Sequence, residues 1–123
     1  YASDQPLLID WESAGLISPL IELLGMAFNL AGIAENSMDI EKVELTLKAY
    51  RDTHANFSTI TSNGLLQYEQ AYASWFNWLE YCFLYSDANL IDLEYELHIT
   101  LRAIQRMQQY QADIMAFLCE LKR

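Results

Sequence analysis

Residues 7–12 read Leu-Leu-Ile-Asp-Trp-Glu, and this stretch decides how the rest of the chain is interpreted. Three apolar residues run directly into Asp10, which is the pattern of a short buried strand that ends in a carboxylate. Residues 13–15, Ser-Ala-Gly, are turn formers, and a helix is then predicted to begin with Ser18 as its cap and Pro19 at its first position. A carboxylate held between a strand and a helix in this way is well placed to bind a metal ion at the edge of a cleft.

The strand at residues 7–10 lacks an obvious partner elsewhere in the chain. A single strand leaves its backbone N–H and C=O groups without hydrogen bonds, so it has to pair with another segment. We therefore expect that the natural protein carries further sequence before Tyr1.

The composition restricts the kinds of partner. The chain has 123 residues, enough for one domain, and its 53% hydrophobic content argues against disorder. Seventeen acidic and seven basic residues give a net charge of −10, which is the wrong sign for binding nucleic acid. A cationic small molecule suits an acidic cleft, although an acidic surface also serves to keep a protein soluble.

The two cysteines and the hydropathy pattern indicate a cytoplasmic protein with no membrane partner. Cys82 and Cys119 form no disulfide framework and are typical of reduced thiols in packed positions. The segment 1–5 is short and polar, unlike a signal peptide. No window of about 18 residues is apolar enough to span a membrane.

Apolar residues at three- and four-residue spacing predict a mainly α fold with four helices. Gly32 is predicted to end the first helix, and the segment 56–64 is predicted to be a loop. A continuous last helix would be about 50 Å long, more than the roughly 35 Å width of a domain of this size, so a bend or break is expected at 105–109. The predicted helices are 19–31, 39–54, 65–86 and a last one from Asp87 or Asn89 to 121.

The third predicted helix is the most aromatic part of the chain. Its aromatic residues are distributed around most of the helix circumference, which predicts a central helix that is buried on several sides. A wall of a binding site is the alternative interpretation, because tyrosine and tryptophan carry polar groups that need a partner. The residues concerned are Tyr68, Tyr72, Trp75, Phe76, Trp78, Tyr81, Phe83 and Tyr85.

Several enzyme classes find no support in the sequence. His54 and His98 are the only histidines, and neither belongs to a recognisable nucleophile–base signature. Glu94 and His98 are four residues apart rather than three, and no second such pair exists, which excludes the di-iron bundle pattern. The chain also lacks a glycine-rich phosphate loop and the Cys/His spacing of a zinc site.

Two stretches of the sequence resemble a known family, namely residues 8–15, Leu-Ile-Asp-Trp-Glu-Ser-Ala-Gly, and residues 19–23, Pro-Leu-Ile-Glu-Leu, which follow them. The family is that of the aminoglycoside phosphotransferases and choline kinases, whose members have a kinase-like fold. Residues 78–81, Trp-Leu-Glu-Tyr, are similar to a stretch in the family's helical subdomain, and the pattern of residues 101–118 is similar to its last helices. The resemblance implies that residues 1–123 form a single helical unit, the C-terminal part of a kinase-like C-lobe. Glu22 departs slightly from the family, which more often has Asp there.

The resemblance also implies a metal site. Asp10 corresponds to the family's magnesium-binding aspartate, and Glu12 either supports the metal or accepts hydrogen bonds from backbone N–H groups in the loop. The N-lobe that binds ATP (or GTP) and the loop that carries the catalytic base are both absent, so this chain contains no catalytic residue. The chain by itself is expected neither to bind nucleotide tightly nor to turn over.

The substrate implied by the resemblance is a cationic or hydroxylated small molecule. Acidic and aromatic side chains bind cations through ion pairs and cation–π contacts. The first candidates for the substrate-binding wall are Trp78 and Tyr81, together with the acids Glu80 and Asp87. Three further acids lie close in sequence, namely Asp92, Glu94 and Glu96.

A stand-alone helical interaction module is the alternative function. In this interpretation the aromatic helix packs on a partner, and the chain forms a homodimer. A fragment of a larger enzyme can also hide its exposed apolar surface by dimerising.

Overall fold

A computed structural model of the chain describes residues 18–85 and 92–122, and those residues form five helices. The mainly α class is confirmed, and the described residues include no strand. The predicted strand at 7–10 and the residues Asp10, Glu12 and Asp87 lie outside the described part of the chain. The helices are α1 (Pro19–Ala31), α2 (Ile40–Thr53), α3 (Phe57–Ile60), α4 (Gly64–Tyr85) and α5 (Leu93–Leu121).

The four long helices form a ring around one core. Helix α1 packs on α2 and α4, and α5 packs on the same two helices from the opposite side. The short helix α3 lies in the connection between α2 and α4, where a loop with short turns was predicted. Every long helix therefore presents one apolar stripe to the interior, as the three- and four-residue spacing requires.

Tyr68 lies at the centre of this core and is 1% exposed. Its hydroxyl donates a hydrogen bond of 2.6 Å to the backbone carbonyl of Met107 on α5, so the one polar atom of the ring is satisfied. Its ring also meets Phe28 of α1 edge to face, with centroids 6.0 Å apart. One side chain thus joins α1, α4 and α5.

The first helix begins and ends where the sequence predicts. Gly32 ends α1 in the left-handed conformation with φ 87°, and the N–H of Ile33 donates to the carbonyl of Phe28 at 3.0 Å. Ser18 occupies the predicted cap position, but its side chain does not cap the helix. The hydroxyl instead accepts a hydrogen bond from Gln67 Nε2, which ties the start of α1 to α4.

Two arginines of α5 hold the loop between α1 and α2. Arg106 Nη1 donates to the carbonyls of Gly32, Ile33 and Glu35 at 3.0, 2.8 and 2.6 Å, and Nη2 donates to that of Asn36 at 3.1 Å. One turn earlier, Arg102 donates to the carbonyl of Ala34 at 3.0 Å. These bonds explain how the eight-residue loop 32–39 can close against α5 with the carbonyl groups of residues 32–36 paired.

Helix α5 is continuous from Leu93 to Leu121, so a break at 105–109 is wrong, while a bend there stays a prediction. The apolar stripe does thin there, but the polar side chains find partners across the bundle instead of ending the helix. Arg106 binds the loop carbonyls, and Gln108 Nε2 donates to the hydroxyl of Tyr72 at 2.7 Å. Within the described residues the helix begins at Leu93, where Asp92 accepts a capping hydrogen bond from the N–H of Tyr95 at 3.2 Å.

The prediction that the aromatic helix is buried on several sides is wrong. Within α4 the buried residues are Tyr68, Ala71 and Cys82, which share one stripe. Helices α1 and α5 cover this stripe, and the side chains of Tyr72 and Trp75 beside it are partly buried against the core. Eight other large apolar side chains of α4 are 40–68% exposed, namely Leu65, Leu66, Phe76, Trp78, Tyr81, Phe83, Leu84 and Tyr85.

Candidate functional site

Three exposed aromatic rings of α4 form a continuous stack that we call the aromatic ladder, Trp78, Tyr81 and Tyr85. The rings of Trp78 and Tyr81 are nearly parallel, at 16°, with centroids 5.3 Å apart. Tyr81 and Tyr85 follow at 4.7 Å and 35°. The spacing of three and four residues places the rings on one side of the helix, since such neighbours lie one above the other. Each ring remains 40–45% exposed, so ligands can reach the ladder from solvent.

A carboxylate from α5 is joined to the ladder. The indole Nε1 of Trp78 donates a hydrogen bond of 3.2 Å to Glu96 Oε2. Glu96 lies in the first turn of α5, beside the Asp92 cap. Aromatic surface and a negative charge therefore lie side by side. Such a combination is suited to a cation with apolar substituents.

Cys82 lies beneath the ladder and is fully buried. Burial raises the pKa of its thiol, and the negative charge of Glu96 raises that pKa further. The thiol is therefore protonated and unreactive at neutral pH. Cys82 is buried, as the sequence predicted for both cysteines, whereas Cys119 is exposed, so the prediction of a packed position is wrong for Cys119.

The structure separates the predicted substrate-binding residues. Trp78 and Tyr81 lie together in the ladder. Glu80 is exposed and lies on a different face of α4, about 100° around the helix from Tyr81. Asp87 lies outside the described residues.

Glu96 is one of the acids that lie near the aromatic helix in sequence, among which Glu80 and Asp87 are the first candidates. A helical residue's neighbours in space are three and four positions away or on another helix, so the contact between Trp78 and Glu96 of α5 is not visible from α4 alone. Substrate binding by Glu80 stays a prediction. The available signal was the antiparallel packing of two consecutive helices, which brings the start of α5 beside the end of α4.

Two concave regions lie elsewhere, and no residue of the ladder lines either of them. An open depression of about 510 Å³ lies along the first turns of α5, and it is shallow and open to solvent. A cavity of about 130 Å³ lies between α1, α4 and α5, which is a volume close to that of a single side chain. The residues of the first are Asp92, Glu94, Tyr95, Leu97, His98 and Leu101.

No cluster of three or more His, Cys, Asp or Glu side chains in residues 18–85 and 92–122 could hold a metal ion. The predicted magnesium ligand Asp10 and its neighbour Glu12 are outside those ranges, so the metal site stays a prediction. None of the described helices is sufficiently long and apolar to cross a membrane.

Comparison with known proteins finds no relative of this chain. No protein-family model matches the chain, and no match is found among curated proteins or among solved structures.

Proposed function

We propose that the chain is the substrate-binding helical part of an ATP-dependent small-molecule phosphotransferase, similar to the aminoglycoside phosphotransferase / choline kinase family. The substrate is a cationic molecule with a hydroxyl group that accepts the phosphoryl group. The observation that carries the proposal is the aromatic ladder with Glu96 beside it, because this arrangement provides what a substituted ammonium group binds.

The sequence before α1 supports the same proposal. The resemblance lies in residues 8–15 and 19–23, and α1 begins at Pro19, where the resemblance requires a helix. Asp10 and Glu12 would hold Mg²⁺, since carboxylate oxygens are the ligands that this ion prefers. When bound, the ion would neutralise charge on the phosphates of ATP or GTP.

The residues of this chain contribute by positioning. Phosphoryl transfer depends on holding the hydroxyl in line with the terminal phosphate, and a positioned group gains several kcal/mol relative to a free one. In the proposal, the ladder binds the apolar and cationic part of the substrate while Glu96 pairs with its charge. The substrate's hydroxyl is then directed toward the metal-bound nucleotide.

The test is a phosphoryl-transfer assay on the natural gene product at its full length. The enzyme is incubated with Mg²⁺ and ATP or GTP and a panel of cationic alcohols, including choline and aminoglycosides, and products are identified by mass. We expect one class of substrate to gain 80 Da, the mass of one phosphoryl group in place of a proton.

Two variants make the assay specific. Asp10→Asn should abolish transfer, and the matched change Asp113→Asn, at an exposed acid of α5, should leave it unchanged. Absence of any phosphorylated product, or full activity of Asp10→Asn, would contradict the proposal.

A helical interaction module is the second candidate function. It is favoured by the large apolar side chains of α4 that the bundle leaves exposed. This function predicts no transfer with any nucleotide and a defined assembly state.

A further inference from the structure

The cavity of about 130 Å³ between α1, α4 and α5, which we call the cleft, is a neighbour of the aromatic ladder. Ser74 of α4 lines the cleft and is exposed, and Trp78, the first ring of the ladder, follows four residues later. Residues four apart on a helix lie one above the other, about 6 Å apart along its axis. The cleft and the ladder therefore follow one another on the same side of α4.

The floor of the cleft is apolar, and its rim is exposed. The hydroxyl of Ser74, at the rim, donates a hydrogen bond of 2.6 Å to the carbonyl of Ala71. An uncharged apolar group can therefore enter the cleft without leaving that donor unpaired. The floor residues, each 6% exposed or less, are Leu24, Phe28, Ala71 and Met107.

Gly25 keeps the cleft open. It lies inside α1, where glycine is less stable than alanine, and its φ is not positive. A Cβ at this position would meet nothing within 4 Å, so close packing does not require glycine either. Because Gly25 lines the cleft, a larger side chain there would occupy part of its volume.

The volume of the cleft matches a single small ring. An apolar cavity of about 150 Å³ is able to bind one benzene molecule. The cleft is slightly smaller, at about 130 Å³, but it is open on one side. It therefore has room for one six-membered ring whose attached chain leaves through the rim.

The distance between the two sites sets the length of such a chain. The α4 residues that line the cleft, 71–75, and the ladder pair Trp78 and Tyr81 are centred six to seven residues apart, which is about 10 Å at 1.5 Å per residue. An extended chain gains about 1.2 Å per bond, so roughly six methylene groups between a cation and a ring span this distance.

We propose that the cleft is a second subsite beside the ladder, and that it takes an uncharged, ring-sized apolar group carried by the cationic ligand. The inference rests on the proposed function, because it places the cation on the ladder beside Glu96. It defines the ligand class more closely, as a cation joined to an apolar ring by a linker of about six atoms.

The first test uses cyclohexanol as a probe of the cleft alone. Trp75 lines the cleft and Trp78 belongs to the ladder, so their two indole N–H signals report on the two sites separately. Cyclohexanol at millimolar concentrations should shift the Trp75 signal in a saturable manner and leave the Trp78 signal nearly unchanged. Glu96→Gln should weaken the binding of choline but not that of cyclohexanol.

A substitution at Gly25 tests whether the probe occupies the cleft. Gly25→Leu should abolish the response to cyclohexanol, because the new side chain fills the cleft, and should leave the response of Trp78 to choline unchanged. Gly25→Ala is the matched control, since it adds one methyl group, and it should change the affinity for cyclohexanol less than threefold. The retained response to choline shows that both variants are folded.

The second test joins the two probes in one molecule. (6-Cyclohexylhexyl)trimethylammonium should bind at least tenfold more tightly than choline, because burial of the ring adds to the contact of the cation. (Cyclohexylmethyl)trimethylammonium should gain less than threefold, since its ring cannot reach the cleft. Gly25→Leu should remove the gain of the long ligand.

The outcomes separate this inference from the proposed function. A chain that binds choline at Trp78 but shows no response of Trp75 to cyclohexanol would overturn the subsite alone. Binding of cyclohexanol that survives Gly25→Leu, or equal affinities for the long and the short linker, would also overturn it. A chain that does not bind choline at all would contradict the proposed function and the subsite together.

Discussion

Arg106 is the single residue on which the connection between the first two helices most depends. It supplies four hydrogen bonds from one guanidinium to carbonyls of residues 32–36. A basic residue in the middle of α5 would ordinarily be assigned to solvent from sequence alone. Its partners are carbonyl groups, which any residue type provides, so no pattern of side chains reveals the contact.

We expect Arg106→Met to lower the free energy of unfolding by about 2 kcal/mol, because charge-assisted hydrogen bonds are lost and the loop carbonyls are left unpaired. Urea denaturation measures the difference. The control is Lys48→Met, an exposed basic residue of α2, which should change the free energy of unfolding by less than about 0.5 kcal/mol. Equal losses in the two variants would contradict the role assigned to Arg106.

Tyr68 gives a prediction about alkaline pH. Burial raises the pKa of its phenol above the ordinary value of 10.0. The folded state therefore holds this proton at a pH where the unfolded state releases it. The resulting stabilisation is complete below about pH 10 and is lost as the pH rises toward the raised folded-state value.

At pH 8, Tyr68→Phe should be less stable than the wild type by about 1 kcal/mol, since the hydrogen bond to Met107 is missing. Above pH 10 the wild type should lose stability faster than the variant, and the difference should shrink or reverse. Leu47→Ala, which removes buried apolar atoms but no ionisable group, is the control and should keep a constant offset from the wild type across this pH range. A constant offset for Tyr68→Phe as well would show that its phenol does not resist ionisation.

At the scale of helices, the sequence predicted most boundaries because the signals are local. Pro19 and Gly32 bracket α1, and Asp39 precedes α2 and accepts a hydrogen bond from the N–H of Glu41 at 3.1 Å. These residues act through backbone geometry within a few positions, so they can be interpreted without knowing the fold.

Two of the wrong predictions concern contacts between distant segments. Helix α4 is aromatic around its circumference, but periodicity does not tell which aromatic residues a neighbouring helix covers. Helix α5 is continuous because Arg106 and Gln108 have partners on other elements. Such partners are 36 to 74 residues away in sequence, beyond the reach of any local pattern.

Two glycines of α1 provide an element-scale test. Gly32→Ala should lower the free energy of unfolding by about 1–2 kcal/mol, because φ is 87° and the new Cβ would lie 3.0 Å from the carbonyl of Ser37. Gly25→Ala should raise it by about 0.5–1 kcal/mol, because the position is helical and a Cβ there meets nothing within 4 Å. Thermal and urea unfolding measure both. The same sign of change in the two variants would contradict the assigned helix end.

At the scale of the whole molecule, two faces of α4 have different surroundings. The inner stripe holds the bundle together, and the ladder is the exposed candidate ligand site. From the sequence, the aromatic content of this helix was evident, as were Trp78 and Tyr81 as candidate contacts. The role of Glu96 could not be predicted from the sequence, because it depends on the packing of α5 on α4.

The central claim is that the ladder and Glu96 bind a cation, and the most direct measurement is a titration followed by ¹H–¹⁵N correlation spectra. The indole N–H of Trp78 reports on the site itself, because it donates to Glu96. With choline as the ligand, this signal should shift in a saturable manner at millimolar concentrations, while the indole signal of Trp75 moves little. Glu96→Gln should weaken the binding about three- to tenfold, because a charged contact is replaced by a neutral one. An unchanged Trp78 signal, or equal shifts throughout the spectrum, would contradict the claim and leave α4 as an interaction helix.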